Sequence, residues 1–94
     1  MITAFVLAKV RRDAINETAE ALLDVPGVSE VYSVAGPWDL AIVIRVRENE
    51  ALADVVTGHL LKVGGITDST TLIGFRAYSR HDLDRLFTVG FEEK

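Results

Sequence analysis

VSEVYSVAGPWDLAIVIRV, residues 28–46, reads as two strands and the turn between them. Valine, isoleucine and tyrosine suit a pleated, half-buried surface, and both runs are dense in β-branched side chains. Residues 28–35 form the outgoing strand, with Val28 as its entry residue and Tyr32 and Val34 on one face. Gly36-Pro37 breaks the run, because proline donates no amide and glycine admits backbone angles that other residues avoid. Residues 38–46 return as the next strand.

Working outward, the hairpin is flanked by matching pieces. Before it, residues 2–10 (ITAFVLAKV) are apolar enough for a strand, and Arg11-Arg12-Asp13 ends that run. Asp13 is placed to cap a helix whose buried face is Ile15, Ala19, Leu22 and Leu23. Pro26-Gly27 stops that helix. After the hairpin, Val46-Arg47-Glu48-Asn49 echoes Val10-Arg11-Arg12-Asp13, with Asn49 in the capping position. Leu52, Val55, Val56, His59, Leu60 and Val63 mark the buried face of a second helix, which Gly64-Gly65 ends. Residues 66–78 (ITDSTTLIGFRAY) make a last strand with room for a bend at Gly74. The order β-α-β-β-α-β predicts an α+β, ferredoxin-like domain: a four-stranded antiparallel sheet with two helices on one face. Residues 1–78 form this domain. Residues 79–94 form a C-terminal tail with a short helical turn around Asp82 to Phe87.

Two helices cover one face of such a sheet, and a wet second face should alternate apolar with polar residues. The first strand does not alternate: Ala4, Val6 and Ala8 point one way, Phe5 and Leu7 the other. The third repeats this, with Leu40, Ile42 and Ile44 opposite Ala41 and Val43. A second copy of the chain, related by a two-fold axis, is the simplest cover for the open face, and the tail folding back is the alternative. Composition agrees. At 94 residues, nearly half of them hydrophobic, a lone monomer would bury only about 60–65% of its unfolded surface.

Charge and cysteine usage narrow the function. The chain carries 10 basic and 14 acidic residues, net −4, and no dense basic run, so direct nucleic-acid binding is not expected. Cysteine is absent, which removes thiolate chemistry, disulfides and zinc–sulfur sites. No apolar run reaches the ~20 residues that span a bilayer, and residues 1–10 lack the features of a signal peptide, so the expectation is a cytoplasmic protein without membrane contact. No cofactor is called for.

The turn itself, with Gly36, Trp38 and Asp39, invites a ligand. Glycine lets a ligand approach backbone donors, a nearby carboxylate accepts from an ammonium, and an indole walls an apolar side chain. That set suits a zwitterion such as an amino acid. The same residues also fit a plain hairpin in which Trp38 is a packing anchor and Asp39 a turn cap.

The run PGVSEVYSVAGPWDLAIVIRV, followed after a helix by GGITDSTTLI, resembles the ligand-binding half of the Lrp/AsnC (feast/famine) transcription regulators, also called the RAM domain. The likeness extends over residues 2–78 and is carried by the Gly36-x-x-Asp39 turn in its valine-rich setting. It implies a dimeric α+β barrel, the sheets face to face, with dimers joining into an octamer or decamer. It implies amino-acid effectors in clefts between dimers, with Gly36, Trp38 and Asp39 on one side and Ser69, Thr70 and Thr71 of a neighbouring chain on the other. Ser69 and the threonines are also simply good strand residues. The regulators carry an N-terminal winged helix-turn-helix, whereas this sequence opens in its first strand. The expectation is an effector domain acting alone or with a full-length regulator.

Other chemistry finds less support. His59 and His81 show no metal-ligand spacing, and His59 reads as a partly buried helix residue. Nothing places a serine, histidine and aspartate together for nucleophilic catalysis. Arg76, Arg80, His81 and Asp82 suit an anion pocket or, better, a salt-bridge cluster between subunits. Enzymes of the small monooxygenase or muconolactone-isomerase type share this size and topology, but the inward positions here are apolar. A structural partner that caps a regulator's assembly is a further reading.

Overall fold

A computed structural model describes residues 1–80. They run β1 (Ile2–Val10), α1 (Ile15–Leu23), β2 (Val28–Ser33), β3 (Leu40–Val46), α2 (Asn49–Ala53) and β4 (Ile66–Ile73). The strands make one antiparallel sheet in the order β2-β3-β1-β4, the ferredoxin-like arrangement. β1 and β3 are central, paired from Ile2↔Val46 to Ala8↔Leu40. Their alternate residues Ala4, Val6, Ala8, Leu40, Ile42 and Ile44 are wholly buried beneath the helices, with Leu22 and Leu60 above them. Burying each of the larger side chains stabilises the fold by roughly 1.5–3 kcal/mol. The helix layer is offset: α1 packs on β2, and α2 on β3 and β1. No residue of β4 is buried.

The opposite face bears out the doubled apolar pattern. Val43 is buried there and Leu7 and Ala41 are half-buried, while Phe5, Tyr32 and Leu72 keep much of their surface in water. Lys9, Arg45, Glu30 and Asp68 surround this strip. Tyr32 donates to Glu30 Oε1 (2.9 Å), and Arg45 Nη1 reaches Ser29 Oγ (2.8 Å) and Glu30 Oε2 (3.4 Å).

Each helix departs from its expected outline. Asp13 makes no capping bond; the chain enters α1 through a 3-10 turn, Arg12–Ala14, and Asp13 pairs loosely with Arg11 (3.6 Å). Leu23 is exposed, and Thr18 takes the buried place beside Leu22, because residues 15, 18, 19 and 22 share one helical face and 23 does not. Asn49 begins α2 without capping it. After Ala53 the turns widen into a π-helical stretch, Asp54–His59, then tighten into a 3-10 turn, Leu60–Lys62. The wider turn shifts every later position around the axis. His59 is therefore exposed rather than partly buried, with Nδ1 3.2 Å from the Asp54 carbonyl oxygen, while Leu60 reaches the core.

Both helix exits depend on glycine. Gly27 has φ +95°, and an added Cβ would lie 2.9 Å from Val55 Cγ2. Gly65 has φ +100°, and its Cβ would collide with Thr18 Oγ1. That hydroxyl, on a residue only 2% exposed, donates to the Gly64 carbonyl oxygen (3.1 Å), which satisfies the one buried polar side chain among the described residues. The last strand is shorter than expected. β4 ends at Ile73, opposite Ala4, although β1 continues to Ile2; the Gly74 amide still donates to the Thr3 carbonyl oxygen (2.8 Å) as the chain leaves the sheet. The helical turn expected around Asp82 to Phe87 lies outside the described residues, as do His81 and Asp82 of the expected salt-bridge cluster.

Candidate functional site

The β2–β3 turn is tied to the rest of the sheet by three bonds. The Val34 amide donates to the Asp39 carbonyl oxygen (3.0 Å), closing the loop. The Asp39 amide donates to the Ala8 carbonyl oxygen (2.9 Å). The Val10 amide donates to Asp39 Oδ2 (2.8 Å). One carboxylate oxygen is thus spent on the end of β1, and among the described residues Oδ1 has no partner. β3 starts at Leu40, so Trp38 and Asp39 belong to the loop rather than to the strand.

Gly36 has φ +117°, a conformation that disfavours any side chain, and nothing lies within 4 Å of where its Cβ would be. The backbone here borders open space, as a ligand approach requires. Trp38 is half-buried, and the Lys9 ammonium sits 5.6 Å from its ring centroid, a cation–π distance.

The other half of the expected site lies across the sheet. Ser69, Thr70 and Thr71 pair with Ala8, Leu7 and Val6 of β1, and β1 separates them from β3. Successive strand residues face opposite ways. Ser69 and Thr71 therefore share the helix side with Ala8 and Val6, while Thr70 stands on the open face with Leu7. Thr71 borders an open, mainly apolar cleft of about 460 Å³ with Leu52, Val56, Thr57 and Ile73, where the helix layer stops short of β4. One chain brings Gly36, Trp38 and Asp39 together but leaves the three hydroxyls apart from them.

Sequence reasoning missed the Val10–Asp39 bond and the Lys9–Trp38 contact. Both depend on which strands lie side by side, and neither residue type announces it. Among the described residues no group of three or more His, Asp or Glu side chains gathers to hold a metal. No helix among them is long and apolar enough to cross a membrane.

Residues 3–83 match the family model of the Lrp/AsnC ligand binding domain. The chain belongs to that family. The domain is 34% identical over 76 residues to an uncharacterised helix-turn-helix-type transcriptional regulator of Pyrococcus horikoshii, covering 78% of this chain and 51% of the relative. To the helix-turn-helix-type transcriptional regulator FL11 of Pyrococcus furiosus it is 37% identical over 77 residues, 82% of this chain and 50% of that one. The chain thus spans about half the length of the curated relatives it matches, and those relatives are named as transcriptional regulators. Among solved structures, a Thermus thermophilus protein superposes with a TM-score of 0.79 at 46% identity, over 85% of this chain and all of that one. AsnC of Escherichia coli shares the fold of this Lrp/AsnC domain (TM-score 0.77, 19% identity, 83% of this chain and 53% of that one). So does a Neisseria meningitidis transcriptional regulator solved as a complex with L-Met (TM-score 0.75, 20% identity, 84% and 53%).

Proposed function

We propose that this Lrp/AsnC domain senses a free amino acid at the β2–β3 turn and carries out no chemistry on it. The observation that carries the reading is the pairing of an open Gly36 backbone with an Asp39 carboxylate of which one oxygen has no partner among the described residues. An ammonium suits that oxygen, the ligand carboxylate suits the turn's backbone donors, and Trp38 walls the side chain. The Neisseria regulator's complex with L-Met supports an amino acid as the ligand class. Ser69 and Thr71 of a neighbouring chain complete the cleft, and Thr70 belongs to the sheet interface between copies. The assembly is a homodimer through the open sheet face, built into an octamer or decamer in the cytoplasm. It works alone or beside a full-length regulator, with residues 1–78 as the effector domain and residues 79–94 as its tail.

A thermal-shift screen of the twenty amino acids against wild type and Asp39→Asn tests this. A ligand that binds only the folded state stabilises it by about 2.7 kcal/mol at a hundredfold excess over Kd. Stabilisation by one or a few amino acids, lost in Asp39→Asn, is the expected result. A flat screen with wild type removes free amino acids as the ligand class.

A further inference from the structure

Beyond Ile73 the chain leaves the sheet into an arm, residues 74–80, irregular up to residue 79, in which Phe75 is 98% and Tyr78 76% exposed. Phe75 and Arg76 line an open cleft of about 280 Å³ together with Thr3, Phe5 and Arg45. Two aromatic rings in water on one short segment mark an interaction surface rather than scattered surface apolarity. Arg76 and Arg80 give the arm two positive charges and no acid, whereas residues 1–73 carry ten acidic and six basic side chains. The arm is thus charge-complementary to the body of its own chain. It is also continuous with the β4 edge of the apolar strip that includes Phe5, Tyr32 and Leu72.

We propose that the arm of each copy lies across the open sheet face of a second copy, so that the two chains exchange arms. This rests on the homodimer reading above and names what the partner contributes. Phe75 and Tyr78 extend the apolar strip over the partner's Phe5 and Tyr32. Arg76 and Arg80 reach Glu30 at the β2 edge of that sheet, competing there with Arg45. A two-fold axis makes both contacts at once, so each arm substitution removes two anchors per dimer.

Sedimentation equilibrium on the full chain tests the exchange, comparing wild type with Phe75→Ser/Tyr78→Ser and with Arg76→Glu/Arg80→Glu. Thermal melts below the dimer dissociation constant check that the fold is untouched. A dimer weakened about tenfold or more by both arm variants, with unchanged monomer melts, is the expected result. A dimer that tolerates both variants overturns the arm exchange and leaves the sheet-to-sheet dimer standing. A wild-type chain that stays monomeric at every concentration overturns both.

Discussion

The Val10 amide and the Asp39 carboxylate meet at 2.8 Å, so the acid that a ligand would use already holds the end of β1 in place. Removing it therefore has two effects that need separating. Asp39→Ala leaves a part-buried amide without an acceptor and should lower unfolding free energy by roughly 1–2 kcal/mol. Asp39→Asn keeps a carbonyl oxygen for Val10 and loses the charge, so it should stay within about 0.5 kcal/mol of wild type while losing affinity for an ammonium. Urea unfolding of both variants, read beside the ligand screen, checks the split.

Gly65 and Gly58 offer a contrast within one segment. Gly65→Ala puts a Cβ into Thr18 Oγ1 at a positive φ, and should cost about 2–3 kcal/mol. Gly58 has open space around it and no positive φ, so Gly58→Ala should be neutral or stabilise by up to about 1 kcal/mol. Equilibrium denaturation of the pair measures both, and equal losses would contradict the packing described for the Gly65 exit.

Tyr32 titrates late. Its hydroxyl donates to Glu30, and the carboxylate's charge opposes a phenolate, so the pKa is raised above the ordinary 10.0. The contact's contribution to stability is complete below 10.0 and is lost as pH climbs through the raised folded value. Glu30→Gln should bring Tyr32 back toward its ordinary value. Ultraviolet titration of Tyr78→Phe with and without Glu30→Gln isolates that tyrosine.

Thr70 and Thr71 are neighbours on opposite faces of the sheet. Thr70 pairs with Leu7 on the open face, and Thr71 with Val6 on the helix side. Thr70→Lys should impair self-association and spare the monomer's melting. Thr71→Ala should leave association intact and weaken effector affinity several-fold, in line with a lost hydrogen bond of about 1 kcal/mol. Sedimentation and ligand titration on both variants decide whether the strand divides its work this way.

Much of this fold was legible in the sequence because two signals agreed along the whole chain. Apolar runs set the strands, and Pro26-Gly27, Gly36-Pro37 and Gly64-Gly65 punctuate the chain where it must turn. The failures are local. Asp13 and Asn49 were plausible caps by type, but Asp13 falls inside a 3-10 entry and Asn49 is the first residue of α2, with Glu48 in the cap position. His59 followed the helical period until the π turn broke it. The end of β4 was illegible because residues 66–78 stay strand-like in type, whereas the pairing with β1 stops at Ala4↔Ile73, far away in sequence. The Gly-x-x-Asp turn was visible as a motif, yet the bond from Val10 to its carboxylate was not, since register emerges only once β1 and β3 lie side by side.

The offset helix layer makes the sheet uneven in how it opens. β1 and β3 lie under the helices and are paired on both sides. β2 and β4 are both edge strands with no buried residue, but α1 packs on β2 whereas β4 lies beyond the helix layer. Its amides should exchange with solvent through a partial opening that leaves the other three strands closed, at a lower free energy than global unfolding. An effector held at Ser69 and Thr71, as proposed, would deepen the order of this strand first, and slowed deuterium uptake along residues 66–73 would be its trace.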